Sequence, residues 1–368
     1  MDRAWPTGLV IVGLAAALAF PVLRLGVTPH LVLGVLVPGL VFEAAFALDR
    51  HELRAVAGPL VALAFPGVLI SAAVVTLVLT IAVGLPVELA FVLGAITAAT
   101  DPVAVVATLA RLDVPPRLRT LVEGESLLND GTGLVLFVLA LQAAGGGLGV
   151  GEGVLKFAVV VAASVALGAT AGLLADRAMK AAGDRTLRFA ISFALAYGAY
   201  QAADVLDLSG IVATVVGAVI LRSRMRSDAA GAIQDLDRVW TRVAFVLTTV
   251  TLLAIGFAID VTALGDAAGA IAAGTAAVLL ARALTVYVPL ALRRAAGHAE
   301  IPPGWSHVVF WSGLRGAIAL AAALSLPEAI PQRLLLQQIA FGIVLATLVL
   351  QGGAAPFVIG RALRESRG

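Results

Sequence analysis

Twelve stretches of mostly apolar residues limit this chain to a fold that lies in a membrane. A helix of about 20 apolar residues crosses the hydrocarbon core of a bilayer, and nearly all of the stretches approach that length. Their length and continuity do not fit the alternating strands of a membrane β-barrel. Only 13% of the residues are charged, against about 25% in a soluble domain. We therefore predict an all-α polytopic membrane protein with spans at 7–25, 31–48, 57–82, 88–110, 119–144, 152–178, 186–203, 209–221, 238–260, 266–291, 305–325 and 333–360.

Basic residues in the connections predict the orientation. Most lysines and arginines follow the even-numbered stretches, whereas the connections 83–88 and 145–151 contain none. Loops rich in Lys and Arg stay on the cytoplasmic side. We expect a multi-pass protein of the cell (inner or plasma) membrane with both termini in the cytoplasm. No linker or soluble domain is visible, so 1–368 is predicted to be a single membrane domain.

The composition argues against several kinds of site. The chain has no cysteine, and its four histidines lie far apart without the spacing of metal ligands. A formal net charge of +2 gives no reason to expect a nucleic-acid partner. We predict no cofactor, and membrane lipid as the surroundings of the protein.

Six charged residues stand out among those inside the apolar stretches. A charge at bilayer depth is costly and persists only where it is paired, hydrated or functional. Asp130 lies roughly 16 Å along its predicted helix, near the middle of the bilayer. The six residues are Glu43, Asp101, Glu125, Asp130, Arg282 and Arg315.

The spacing around Asp130 indicates a cation site. Residues four apart share a helix face, so Ser126 lies with Asp130, and Glu125 lies with Asn129. Hydroxyl and carboxylate oxygens suit a small hard cation. The alternative is that Asp130 only pairs with a buried arginine to hold the bundle together. Buried carboxylates outnumber buried arginines, however, so at least one acid is left for a cation.

Two apolar stretches contain signals for a broken helix. Pro102 follows Asp101, and proline removes a backbone donor. The second signal is the glycine-rich run Trp311–Gly316, which contains Arg315. Transporters build ion sites at such breaks, often within inverted repeats. Asp101 and Arg315 would then compensate the dipoles of half-helices that cross, whereas a plain proline kink with a capping aspartate is the simpler alternative.

Several motifs together resemble the cation/proton antiporter family, in its NhaP/NHE-like branch. They are TDPVAV at Thr100–Val105, EGESLLNDGTG at Glu123–Gly133 and WSGLRGAIAL at Trp311–Leu320, with the shorter runs FEAAFALD around Glu43, SGIVA at Ser209–Ala213 and ARAL around Arg282. The resemblance covers nearly the whole chain in the right order.

The resemblance implies a fold and an assembly. It implies an inverted-repeat antiporter fold with two crossed broken helices and a homodimer. The ion-translocating core would come mostly from 31–144 and 238–325, and dimerisation helices from 1–25 and 186–221. Members of the family usually have thirteen helices and a long cytoplasmic tail, whereas this sequence predicts twelve helices and almost no tail.

The resemblance also implies the roles of the site residues. Asp130 would bind either the cation or the proton, and Asn129 in place of a second aspartate suggests electroneutral exchange. Na⁺ (or Li⁺ or K⁺) would bind at Asp130, Ser126 and Thr100, with help from Asp101 and Glu43. Glu125 and Arg282 would form a structural ion pair.

We therefore predict an electroneutral Na⁺/H⁺ antiporter that serves pH homeostasis by alternating access, and not an enzyme. A K⁺/H⁺ antiporter of the same fold is the main alternative, because sequence does not fix site size. A cation channel would need rings of carbonyls or charges, and nothing repeats in that way. An intramembrane protease is disfavoured because the chain lacks a Gly-x-Gly-Asp motif and a histidine near Ser126.

Overall fold

The computed structural model describes residues 12, 28–101, 109, 114–225, 230–258, 264–295 and 302–365. Within these ranges the chain forms helices joined by short connections and contains no β-strand. Five of the helices are long and apolar enough to cross a membrane. The predicted all-α polytopic architecture is confirmed.

Eleven of the twelve predicted spans coincide with a helix or with parts of one. The predicted span 7–25 lies outside the described residues apart from Val12, and so does Pro102 with most of the second half of 88–110. The helices are α1 Val37–Ala47, α2 Arg50–Ala55, α3 Ala57–Ala64, α4 Pro66–Val83, α5 Val87–Ile96, α6 Pro116–Ala144, α7 Val150–Ala181, α8 Arg185–Val205, α9 Gly210–Arg224, α10 Ala230–Ala258, α11 Ala268–Ala295, α12 Pro303–Trp311, α13 Ala317–Leu324 and α14 Arg333–Glu365.

Two predicted spans are less regular than the apolar pattern predicts. The predicted span 57–82 is divided at Phe65, because Pro66 lacks the N–H group that would continue the ladder. The hydroxyl of Thr132 in α6 donates to the carbonyl of Ala64 at 2.7 Å, so an acceptor beside the division is satisfied from another helix. Near the start of the second span, six residues of π-helix, Leu31–Leu36, precede α1 and its Pro38.

The helices pack in two groups. In the first group, α4 packs against α5 and α11, α6 against α5 and α3, and α14 against α11, α12 and α13. In the second, α9 packs against α7, α8 and α1, and α10 packs against α1. The indole N–H of Trp240 in α10 donates to Ser192 in α8 at 3.0 Å, and its ring packs at a tilt of 42° against Phe42 of α1. The division into core and dimerisation helices stays a prediction.

Small residues allow α7 and α9 to approach closely. A Cβ atom at Gly168 would collide with the backbone of Ala213, and one at Gly172 would lie 2.7 Å from the carbonyl oxygen of Gly217. Two glycines four residues apart place their bare faces on the same side of α7. Such contacts stabilise helix pairs in a bilayer mainly through van der Waals packing.

Candidate functional site

The first helix break follows α5. The hydroxyl of Thr97 donates to the carbonyl of Leu93 at 2.8 Å, and the chain then leaves the helix through Asp101. The N–H of Asp101 donates to the carbonyl oxygen of Leu314 at 2.8 Å. This hydrogen bond joins the unwound segment after α5 to Leu314, which belongs to a second helix break.

The second break separates α12 from α13 at Ser312–Gly316. The guanidinium of Arg315 donates to the carbonyl oxygens of Ala98 and Ala99 at 3.3 and 3.0 Å, beyond the C-terminal end of α5. The carboxylate of Asp101 accepts from the N–H of Ala317, the first residue of α13, at 3.4 Å. The predicted crossing of two broken helices is confirmed for the described half of the first one. Each charge lies at a helix end of opposite partial charge.

The crossing leaves no room at Gly316. A Cβ atom there would collide with the carboxylate of Asp101. Glycine is required because the two unwound segments are in direct contact at this point.

A chain of buried polar groups links the first break to α6. The amide nitrogen of Asn129 donates to the hydroxyl of Thr100 at 2.6 Å and to Glu125 at 2.7 Å. Its amide oxygen accepts from the N–H of Thr100 at 3.2 Å. The hydroxyls of Thr100 and Ser126 lie 3.1 Å apart. The amide of Asn129 thus fixes the unwound segment to α6 through its two hydrogen bonds with Thr100, and its remaining donor goes to Glu125 within α6.

Glu125 is neutralised within the protein. Its two oxygens accept from the guanidinium of Arg282 in α11, at 2.7 and 2.9 Å. The same guanidinium donates to the carbonyl of Val309 at 2.7 Å. Both side chains are almost fully buried. This carboxylate is therefore not available to an exchanging ion.

Asp130 differs from Glu125 in its surroundings. It is 9% exposed, and among the described residues no hydrogen bond or ion pair reaches its carboxylate. It lines a cavity of about 460 Å³ together with Thr100, Asp101 and Glu43. Four of the six predicted cation or proton ligands therefore share one cavity, whereas Ser126 and Asn129 are not among the residues that line it. In the described ranges no three His, Cys, Asp or Glu side chains form a metal cluster.

The cavity also has walls that the sequence analysis missed. Thr241, Thr248 and Thr251 in α10 line it, and so does the ion pair between Arg119 and Glu123, 2.8 Å long. The threonines are spaced by seven and three residues, which places them on one helix face. That spacing was visible in the sequence, but only the packing identifies the face that meets the cavity. The α10 threonines contribute neutral hydroxyls to a cavity that is also lined by the carboxylates of Glu43, Asp101 and Asp130.

Comparison with known proteins identifies a family and several relatives of this chain. The model of the transmembrane sodium/hydrogen exchanger family matches residues 5–360. The chain is 31% identical over 354 residues to the Na(+)/H(+) antiporter NhaS2 of Synechocystis sp., covering 96% of this chain and 65% of the relative. It is 32% identical over 370 residues to the Na(+)/H(+) antiporter NhaG of Bacillus atrophaeus, covering 95% and 69%. The chain thus spans about two thirds of the length of these relatives.

A solved structure shows the same fold. The sodium proton antiporter MjNhaP1 from Methanocaldococcus jannaschii at pH 8 is similar with a TM-score of 0.71. The match covers 99% of this chain and 98% of that chain at 16% sequence identity. At this level of identity the likeness concerns the fold alone.

Proposed function

Because this chain belongs to the sodium/hydrogen exchanger family, we propose that it exchanges Na⁺ for H⁺ across a membrane by alternating access, with both ions competing for Asp130. The relatives named above are Na(+)/H(+) antiporters, which favours Na⁺ over K⁺ or Li⁺ as the transported cation. The family is one of ion antiporters, and no step of the proposal requires an enzymatic reaction.

The position of Asp130 carries the proposal. Of the two buried acids in α6, Glu125 is held by Arg282, whereas the Asp130 carboxylate faces the cavity and has no described partner. An unpaired charge inside a membrane protein is expensive. The carboxylate is therefore stabilised either by a cation that enters through the cavity or by a proton. Exclusive occupancy by one or the other is the minimum requirement for exchange.

The proposed ligands of the cation surround Asp130. The carboxylate of Asp101 and the oxygens of Thr100 lie on the same cavity as Asp130 and offer hard donors. Ser126 contacts Thr100 and acts on the site either directly or through that hydroxyl. We assign Glu43, which also lines the cavity, to hydration or guidance of the arriving cation.

The charge balance supports one-for-one exchange. Asn129 lies next to Asp130 and carries no charge, and its amide is fully engaged by Thr100 and Glu125. One ionised carboxylate then carries one Na⁺ in one direction and one H⁺ in the other. The complex that crosses is neutral at the site in both half-cycles, which avoids moving a bare charge through the bilayer.

Assembly and placement complete the proposal. We propose a homodimer in the cell membrane, with the Arg-rich connections and both termini in the cytoplasm, acting in pH homeostasis. The similarity to MjNhaP1 supports the fold on which this arrangement rests. The Arg-rich connections support the orientation.

The test is ion-coupled proton movement in proteoliposomes that contain a pH-sensitive dye. With an acidic lumen, added Na⁺ should release protons, and Asp130→Asn should reduce the release to the background of empty liposomes. Asp204→Asn, which alters an exposed carboxylate outside the cavity, is the control and should retain the wild-type rate. Addition of Li⁺ and K⁺ in separate runs ranks the cations.

Two outcomes would overturn parts of the proposal. Full release by Asp130→Asn would remove Asp130 from the mechanism. A rate that follows an imposed membrane potential would contradict electroneutral exchange, because neutral exchange moves no net charge.

A further inference from the structure

A second, smaller cleft lies between α8 and α10, on the side of α10 that carries Arg238 and Arg242. It has a volume of about 210 Å³. Four arginines dominate its lining, and one acidic residue accompanies them. The lining residues are Arg185, Arg188, Phe189, Asp235, Leu236, Arg238, Val239 and Arg242.

The α8–α10 cleft has an excess of positive charge. Asp235 pairs with Arg185 at 2.8 Å and with Arg238 at 2.7 Å, so one carboxylate faces two guanidiniums. Among the described residues, the guanidinium of Arg188 donates only to the carbonyl of Ala182, at 3.3 Å. Arg242 has no ion pair within the described ranges. The cleft therefore carries a formal charge of +3, since four arginines face one aspartate.

Apolar surface continues from the cleft along both helices. Phe193 lies one turn beyond Phe189 in α8 and is 45% exposed. Val246 lies one turn beyond Arg242 in α10 and is 58% exposed. One helical turn is about 5 Å, so charged and apolar surfaces follow each other along the helix axes.

We propose that the α8–α10 cleft binds the phosphate headgroup of an anionic phospholipid, whose acyl chains cover Phe193 and Val246. Guanidinium groups form paired hydrogen bonds with phosphate oxygens, and Arg188 and Arg242 are the two that lack an acidic partner among the described residues. A free phosphate would use the arginines but not the apolar surface beyond them. The proposal does not depend on the transported ion.

Arginines in membrane proteins also serve as topology signals, so the test must separate a site from general positive charge. The probe is dioleoyl phosphatidylglycerol added to the purified full chain in neutral detergent, with bound lipid counted by native mass spectrometry. Dioleoyl phosphatidylcholine and inorganic phosphate are added in parallel. The test variant is Arg188→Gln with Arg242→Gln. The matched control is Arg54→Gln with Arg177→Gln, which removes two exposed arginines elsewhere.

The expected result is specific loss of the anionic lipid. Each arginine near an anionic lipid contributes about a factor of five, so the double variant should bind phosphatidylglycerol roughly 30-fold more weakly than wild type. The control pair should bind as wild type does. Phosphatidylcholine should bind weakly to all three proteins, and inorganic phosphate should not compete.

Three results would overturn the proposal. They are unchanged binding of phosphatidylglycerol in the double variant, equal binding of phosphatidylcholine by wild type, and full competition by inorganic phosphate. If the double variant does not fold, Arg242→Gln alone should still weaken binding about fivefold, and wild-type affinity in that variant would equally refute the site. Arg188→Lys with Arg242→Lys should recover only part of the affinity lost in the Gln pair, because the charge is kept but the paired hydrogen bonds of the guanidinium groups are lost.

Discussion

The carboxylate of Glu125 accepts two hydrogen bonds from the guanidinium of Arg282, at 2.7 and 2.9 Å, in the interior of the bundle. The pair joins α6 to α11, and Arg282 also donates to α12 through the carbonyl of Val309. Three helices around the crossing are thus connected by one buried pair. The pair also removes one of the two α6 acids from the ion chemistry and leaves Asp130.

Loss of one partner of this pair should destabilise the protein. Arg282→Gln leaves the Glu125 carboxylate buried without a counter-charge, which costs about 3–5 kcal/mol. We expect a clearly lower midpoint of thermal unfolding in detergent. Glu125→Gln combined with Arg282→Gln should recover part of the loss, because no bare charge remains. Arg54→Gln, at an exposed arginine, is the control, and equal midpoints for it and Arg282→Gln would contradict the assignment.

A charge at position 129 should disrupt the link between α6 and the first break. The Asn129 amide donates to Glu125 and to Thr100, and an ionised Asp can donate to neither. Asn129→Asp should therefore lose about 1–3 kcal/mol of stability from unsatisfied buried groups. Asn129→Ala removes the same donor without adding a charge. If the two variants unfold at the same midpoint, repulsion between the new carboxylate at position 129 and Glu125 does not contribute to the loss of stability.

Much of the fold could be predicted from the sequence because the bilayer imposes simple rules. Long apolar stretches had to be helices, and the glycine-rich run before α13 marked a break. Pro66, within the stretch 57–82, is a sequence signal for the division at Phe65. The continuous apolar pattern nevertheless led to the prediction of a single span there. Unwound backbone near Asp101 and Arg315 was predictable because charges inside a membrane need helix ends, partners or water.

The side-chain network around Asn129 could not be predicted from the sequence. Helical spacing places Asn129 on the face of Glu125, but it does not reveal that the amide also binds Thr100 from another helix. Similarly, Thr248 belongs to a stretch with several threonines, and sequence alone does not tell which one meets a cavity. Contacts between residues far apart in the chain depend on how helices rotate against one another, and the apolar pattern constrains rotation weakly where a helix is buried on many sides.

A side chain at position 316 should disturb the crossing. Gly316→Ala would drive its Cβ into the Asp101 carboxylate, and overpacking of this kind costs about 1–3 kcal/mol. We expect a lower unfolding midpoint and slow exchange per folded molecule. Gly353→Ala is the control, because the space around Gly353 in α14 is open. Wild-type exchange by Gly316→Ala would show that the contact with Asp101 is dispensable.

The α10 threonines should affect cation affinity more than folding. Thr248→Val keeps the shape of the side chain and removes a hydroxyl from the cavity wall. Loss of one hydrogen-bonding group corresponds to about 1 kcal/mol, so the KM for Na⁺ should rise about fivefold. Thr249→Val, next to it in α10, removes a hydroxyl that bonds to the carbonyl of Phe245 instead. A similar change in KM for both variants would mean that a hydroxyl on the cavity-lining face of α10 contributes no more to cation affinity than a hydroxyl elsewhere on this helix.

Competition for one carboxylate fixes the direction of the pH dependence. A proton on Asp130 excludes Na⁺, so lowering the pH equally on both sides should raise the apparent KM for Na⁺, by up to about tenfold per pH unit, through mass action. Saturating Na⁺ should restore the same maximal rate. Isotopic Na⁺/Na⁺ exchange in proteoliposomes measures this without a proton gradient. A maximal rate that falls at low pH while KM stays constant would mean that the inhibiting proton binds away from the cation, and Asp130 could not then be the shared ligand.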